Sequence, residues 1–145
     1  MTPVLDFFHS LLRYGVLLFV LAGGVLALKG LVLRSPILIY ERQVAIIAVV
    51  LCHVQLALGL ILYATRFEAF QFMSGEHQRF WKYEHIGSMI IAITLVTLGR
   101  VLAKRAKLES RKQLLVAVFY LLGFVLMMAA IPWPFRSVGH DLGWL

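Results

Sequence analysis

Four long apolar runs, only sparsely broken by polar residues, divide the chain near Phe8 to Leu28, Val44 to Tyr63, Tyr83 to Gly99 and Leu114 to Ile131. Each approaches the roughly 20 residues a helix needs to cross a hydrocarbon core about 30 Å thick. Each is also too long and too continuous for a membrane strand, which runs for about ten residues of alternating polarity. The pattern predicts an all-α integral membrane protein, a four-helix transmembrane bundle forming a single domain over residues 1–145. Helix stops separate the runs: Arg34-Ser35-Pro36 after the first, the polar stretch from Arg100 to Lys112 after the third, and Pro132 and Pro134 after the fourth. The second connection is long enough for structure of its own. Its aromatics Phe67, Phe70, Phe72, Phe80 and Trp81 alternate with polar residues, which suits a segment in the membrane interface or a lid over a site in the outer half of the bundle.

Composition agrees with this reading. Of 145 residues, 61% are apolar and 14% charged, and four spans leave no room for an extramembrane catalytic domain. The net charge of +7 would suggest a nucleic-acid partner in a soluble chain. Here the basic residues lie between apolar runs and act as topology signals, so the partner they indicate is the lipid bilayer and not nucleic acid. The first connection carries Lys29, Arg34 and Arg42, and the third carries Arg100, Lys104, Arg105, Lys107, Arg111 and Lys112. Those two sides are expected to be cytoplasmic, with both termini and the second connection on the other side. The first run has neither a basic leader nor a small-residue cleavage site, and reads as a retained helix. Cys52 is the single cysteine, which excludes a disulfide framework and the CxxCH attachment of c-type haem.

Polar side chains inside the runs are few, and in lipid they are the first candidates for function. His9 and Arg13 share a face near the outer end of span one. His53 and Gln55 lie near the middle of span two on different faces, while Glu84 and His85 open span three with Met89 one turn deeper. At about 1.5 Å per residue, His85 sits about 10 Å above the midplane, His9 somewhat higher and His53 close to the middle. Three readings of the three histidines stay open. They can clamp a b-type haem between facing helices, bind a non-haem metal together with Glu84 or Met89, or serve as interhelical hydrogen-bonding groups. Arg13 calls for a carboxylate, for which Glu84 is the natural partner, or for a haem propionate. The rigid turn bearing Trp133 and Arg136 places an aromatic and a cation at the outer interface, as a membrane-belt residue and headgroup contact or as a cover over a propionate edge or quinone entrance. His77 and His140 lie in outer segments and are expected to be solvated.

The segments His9-Ser10-Leu11-Leu12-Arg13, His53-Val54-Gln55-Leu56 followed by Gly59, Glu84-His85 and Pro132-Trp133-Pro134-Phe135-Arg136, with the Gly139 to Trp144 tail, resemble in order and spacing those of a family of small bacterial four-helix membrane proteins labelled cytochrome b or cytochrome b-like. The resemblance runs over essentially the whole chain. It implies haem b carried in the bundle, multi-pass residence in the bacterial inner membrane, and electron transfer beside the respiratory chain.

Candidate cofactor-binding residues are thus His85, His9, His53, Arg13, Trp133 and Arg136, the three histidines being the candidate iron ligands. In a bundle connected through neighbours, spans one and three are diagonal, which favours His9 with His85; pairing His53 with His85 requires helix tilt. Electron transfer to or from quinol or the subunits of a respiratory complex is expected ahead of stand-alone catalysis, since Glu84 and the histidines are the only acid or base groups at hand. The rival expectation is a cofactor-free accessory subunit of a larger membrane complex. A metal or proton transporter ranks last, because below His53 only Thr94, Thr97 and Tyr120 continue a polar path.

Overall fold

A computed structural model describes residues 2–142 and Trp144. Its helices are α1 (Thr2–Leu33), α2 (Ile39–Thr65), α3 (Phe67–Phe72), α4 (Gly75–Arg79), α5 (Ile86–Arg105) and α6 (Glu109–Ala130), with a π-helical turn Phe80–His85 running directly into α5. Four helical stretches are long and apolar enough to cross a membrane: Pro3–Leu33, Ile39–Thr65, Gly75–Arg105 and Glu109–Ala130. The chain is therefore a multi-pass membrane protein built as a four-helix bundle. The helices overrun the predicted apolar runs. At 32 residues α1 is about 48 Å long, so its ends project into the polar interface, where the backbone stays hydrogen-bonded as helix.

α1 packs on α2 and α6, and α5 packs on α6 and more sparingly on α2, which leaves α1 and α5 diagonal. One inward stripe per helix builds the core: Val16 and Val20 from α1, Ala45, Ala48 and Cys52 from α2, Ala92 and Val96 from α5, and Tyr120 and Met127 from α6. The opposite faces stay apolar, as the exposed row Leu11, Leu18, Val25 and Val32 on α1 illustrates. In water such a stripe would be a liability, whereas in a bilayer it is the lipid-facing surface.

Small residues let the helices close in. A Cβ at Gly123 of α6 would stand 3.1 Å from the Ala92 carbonyl oxygen of α5, and one at Gly99 of α5 would stand 2.6 Å from Phe119 Cβ of α6. With no difference in apolarity to drive helices together in lipid, this close packing supplies much of the association energy. Tyr120, fully buried, donates its hydroxyl to the Ala45 carbonyl at 2.6 Å and ties α6 to α2.

The predicted stop at Arg34-Ser35-Pro36 has a specific geometry. Arg34 takes a left-handed φ of 51°, and the Ser35 amide donates back to the Gly30 carbonyl at 3.0 Å, closing the end of α1. Glu41 then accepts from the Leu38 amide at 3.0 Å and pairs with Lys29 at 3.1 Å, while Gln113 donates to the Ser35 carbonyl at 2.8 Å. These contacts fasten the first turn to α6.

Candidate functional site

At the opposite end of the bundle, a cavity of about 780 Å³ opens between α1, α2, the start of α5 and the end of α6. Its position follows from the packing, since α2 and α5 are the neighbours that meet least closely. Its volume falls in the range of about 300–1,000 Å³ typical of cofactor and ligand sites. Apolar walls come from Val16, Leu17, Leu56, Met89, Ile93 and Met127, and His9, Arg13, Gln55 and His85 are among the polar groups that line it.

The π-helical turn sets His85. Widening the helix by one residue brings Phe80 and His85, five apart, toward the same side, and their ring centroids lie 6.1 Å from each other. Trp81 meets the imidazole edge-on at 5.4 Å, and Phe80 is 1% exposed beneath. His85 donates its Nδ1–H to the Ala130 carbonyl at 2.9 Å. That bond selects the tautomer whose Nε2 carries a lone pair, the arrangement metal-binding histidines commonly use.

His9 enters from the diagonal helix. It lies beside Gly59 of α2, where a Cβ would come within 3.2 Å of His9 Cε1. Its Nδ1 is buried with no hydrogen-bond partner among the described residues, as are Arg13 Nε and Gln55 Oε1. A buried polar atom left unpaired costs about 1–3 kcal/mol, so these three atoms on the lining of one cavity call for hydrogen-bond partners from water or a bound group. Gln55 Nε2 is engaged, donating to the His9 carbonyl at 2.8 Å.

Not every predicted site residue reaches this cavity. His53 is exposed on the outer face of α2 and donates its Nδ1–H to the carbonyl of Val49, one turn back, at 2.8 Å. Two residues along a helix turn the side chain through about 200°, so with Gln55 facing inward His53 faces outward. The expected pairing of Arg13 with Glu84 does not form. Glu84 turns to Arg79 at 3.0 Å, and Arg13 donates to the Trp144 carbonyl at 2.6 Å with its guanidinium over the Tyr14 and Trp133 rings. Nor is Trp133 an exposed belt residue: it is 9% exposed, stacks on Phe135 and donates to the Met128 carbonyl at 2.9 Å. Arg136 donates to the Ala129 carbonyl at 2.6 Å and closes the end of α6, with its guanidinium over Phe80. Trp133 and Arg136 thus shape the site from outside its lining. His77 and His140 are exposed, as expected for solvated groups.

The second connection contributes to the site. Phe70 of α3 and Trp81, Lys82 and Tyr83 of the π turn line the cavity, so this segment forms one of its walls. Asp6 and Arg66, also on the lining, form an ion pair joining α1 to α2. The C-terminal tail was the least expected contributor. It packs so closely on the Pro132-Trp133 turn that a Cβ at Gly139 would collide with both carbonyls, and its Asp141 and Leu142 complete the lining. Tyr14 and Arg13 both donate to the Trp144 carbonyl, which holds the tail across α1. Glycine at 139 and paired tryptophans at 133 and 144 were the available signals, but neither has a periodicity that reports folding back.

Among the described residues, no cluster of three or more His, Cys, Asp or Glu side chains could hold a bare metal ion. The non-haem site of histidine with Glu84 is therefore not assembled. Two histidines on opposite helices suffice for a haem iron, whose macrocycle supplies the other four ligands. Comparison with known proteins finds no matching family model, no similar curated protein and no similar solved structure.

Proposed function

We propose that this protein is a membrane-bound b-type cytochrome that holds one haem b in the cavity between α1, α2 and α5, where His85 and His9 are the residues that would bind its iron. The observation that carries the proposal is the convergence of two diagonal histidines on one largely apolar cavity, His85 with its Nδ1–H anchored on the Ala130 carbonyl and His9 with Nδ1 unpartnered. The sequence resemblance to small bacterial cytochrome b-like proteins supports the same reading and extends it to the bacterial inner membrane, and the Lys and Arg of the first and third connections add outward-facing termini to the proposal.

Haem in such a site supplies one-electron chemistry, with the protein setting its potential. The residues of this chain bind, orient and shield. The Ala130 bond fixes the ring of His85 and makes it a better donor. Gly59 leaves room for the imidazole of His9. Arg13, half-buried on the lining, is positioned to meet a propionate, and its charge favours the less positive, reduced state. Apolar walls exclude water, so this charge acts more strongly than it would in solution. Electron exchange with quinol or a respiratory partner is the chemistry that a haem in this largely apolar cavity would support.

The test is a dithionite-reduced minus oxidised absorption spectrum of the detergent-purified protein, with haem quantified per chain. Sharp reduced bands at near-stoichiometric haem are expected. A colourless protein from cells with ample haem would overturn the proposal in favour of the accessory-subunit reading.

A further inference from the structure

A second cavity, of about 350 Å³, opens at the other end of the bundle, where α2 and α6 begin and α5 ends. Arg42, Arg100, Lys104 and Lys112 line it, and none of the four forms an ion pair among the described residues. Arg100 and Lys112 are half-buried, so their charges are partly withdrawn from water without a counter-ion. The two carboxylates on the lining do not fill that need: Glu41 is 8% exposed and already engaged by Lys29 and the Leu38 amide, and Glu109 is exposed at the first turn of α6. Further in, the walls are small and apolar, formed by Gly23, Ala27, Ala45 and Val116. A cationic rim over an apolar floor, at the level where transmembrane helices leave the hydrocarbon, suits an amphiphile with an anionic head.

We infer that this cavity is a binding site for the phosphate headgroup of an anionic phospholipid, with Arg100 and Lys112 on the phosphate and Arg42 and Lys104 at the rim. Basic pockets between transmembrane helices are the usual sites for such lipids. A free phosphate ion would satisfy the cations but leave the apolar floor unused, which is why the lipid is the occupant argued here. The site is independent of the haem cavity at the opposite end.

Native mass spectrometry of the delipidated full-length protein, titrated with phosphatidylglycerol and with phosphatidylcholine of the same acyl chains, tests the inference. Phosphatidylglycerol is expected to bind the more tightly. The double variant Arg100→Gln with Lys112→Gln is expected to weaken it about thirtyfold, the fall that two lost cation contacts near a membrane surface produce. Lys107→Gln with Arg111→Gln removes the same charge outside the cavity and is expected to leave binding unchanged. Should the half-buried pair prevent folding, the exposed pair Arg42→Gln with Lys104→Gln replaces it, with loss of phosphatidylglycerol preference again expected. Equal weakening by cavity and control variants would overturn the inference, as would equal binding of the two lipids. Displacement of bound phosphatidylglycerol by millimolar inorganic phosphate would overturn the lipid assignment in favour of a free-ion site.

Discussion

His85 and His53 are both histidines in apolar helices, and each donates Nδ1–H to a backbone carbonyl. The difference lies in whose carbonyl it is. His53 bonds one turn back along its own helix and faces outward, whereas His85 bonds across to Ala130 at the end of α6 and lines the cavity. The proposed ligand set therefore separates them sharply. His85→Ala and His9→Ala are each expected to lose stable haem or to convert a low-spin spectrum to high-spin, while His53→Ala retains the wild-type spectrum and haem stoichiometry. Loss of haem in His53→Ala with retention in His9→Ala would transfer the second ligand to α2 and break the proposed geometry. The sequence placed His53 and Gln55 on different faces without showing which face was inward. The surrounding residues are apolar on every side, so no polarity gradient reports the direction. Glu84 eluded the sequence for another reason. It lies in the π turn, whose extra residue shifts the register that an α-helical reading assumes, and it meets Arg79 instead of Arg13.

At the level of elements, the four spans and their order around the bundle were legible, because burying backbone polar groups in lipid leaves no alternative to helices and the runs are long. The stops at Arg34-Ser35-Pro36 and at Pro132 were equally plain. The true helix lengths were not, since hydropathy reports where lipid begins and the helical hydrogen bonds continue past it. The tightness of the α5 and α6 contact was also hidden, because a glycine in a span reads the same whether it faces a neighbour or lipid. Gly123 faces backbone: the nearest atoms to its missing Cβ include the Ala92 carbonyl, which cannot rotate away. Gly123→Leu is thus expected to push α5 from α6 and to destabilise the protein by about 1–3 kcal/mol or more, the usual cost of overpacking. Gly87, with nothing near its Cβ position, supplies the control. Thermal unfolding in detergent should show a lower midpoint for Gly123→Leu and little change for Gly87→Ala; similar midpoints would mean that the interface yields more readily than its geometry indicates.

Over the whole molecule, charge and cavities are polarised along the bundle axis. Nine of the 14 Lys and Arg residues lie in or beside the first and third connections, and the small cationic cavity sits among them. Five of the seven acidic residues, Asp6, Glu68, Glu76, Glu84 and Asp141, lie toward the other end, where the large cavity opens. By the rule that Lys and Arg are retained on the cytoplasmic side, the molecule is expected to sit with the proposed haem site outward. Two exposed serines report this directly, Ser110 in the first turn of α6 and Ser137 in the closing segment. The native thiol, Cys52, is 0% exposed and should stay silent toward a polar maleimide, so single cysteines can be introduced without removing it. In cells whose outer barrier is permeabilised but whose inner membrane is intact, Ser137→Cys is expected to react with a membrane-impermeant maleimide, and Ser110→Cys only once that membrane is broken. The opposite pattern would invert the molecule and turn the large cavity toward the cytoplasm. The expected orientation rests on charge asymmetry and not on any cofactor, so that result would revise where electrons are exchanged while leaving the histidine geometry intact.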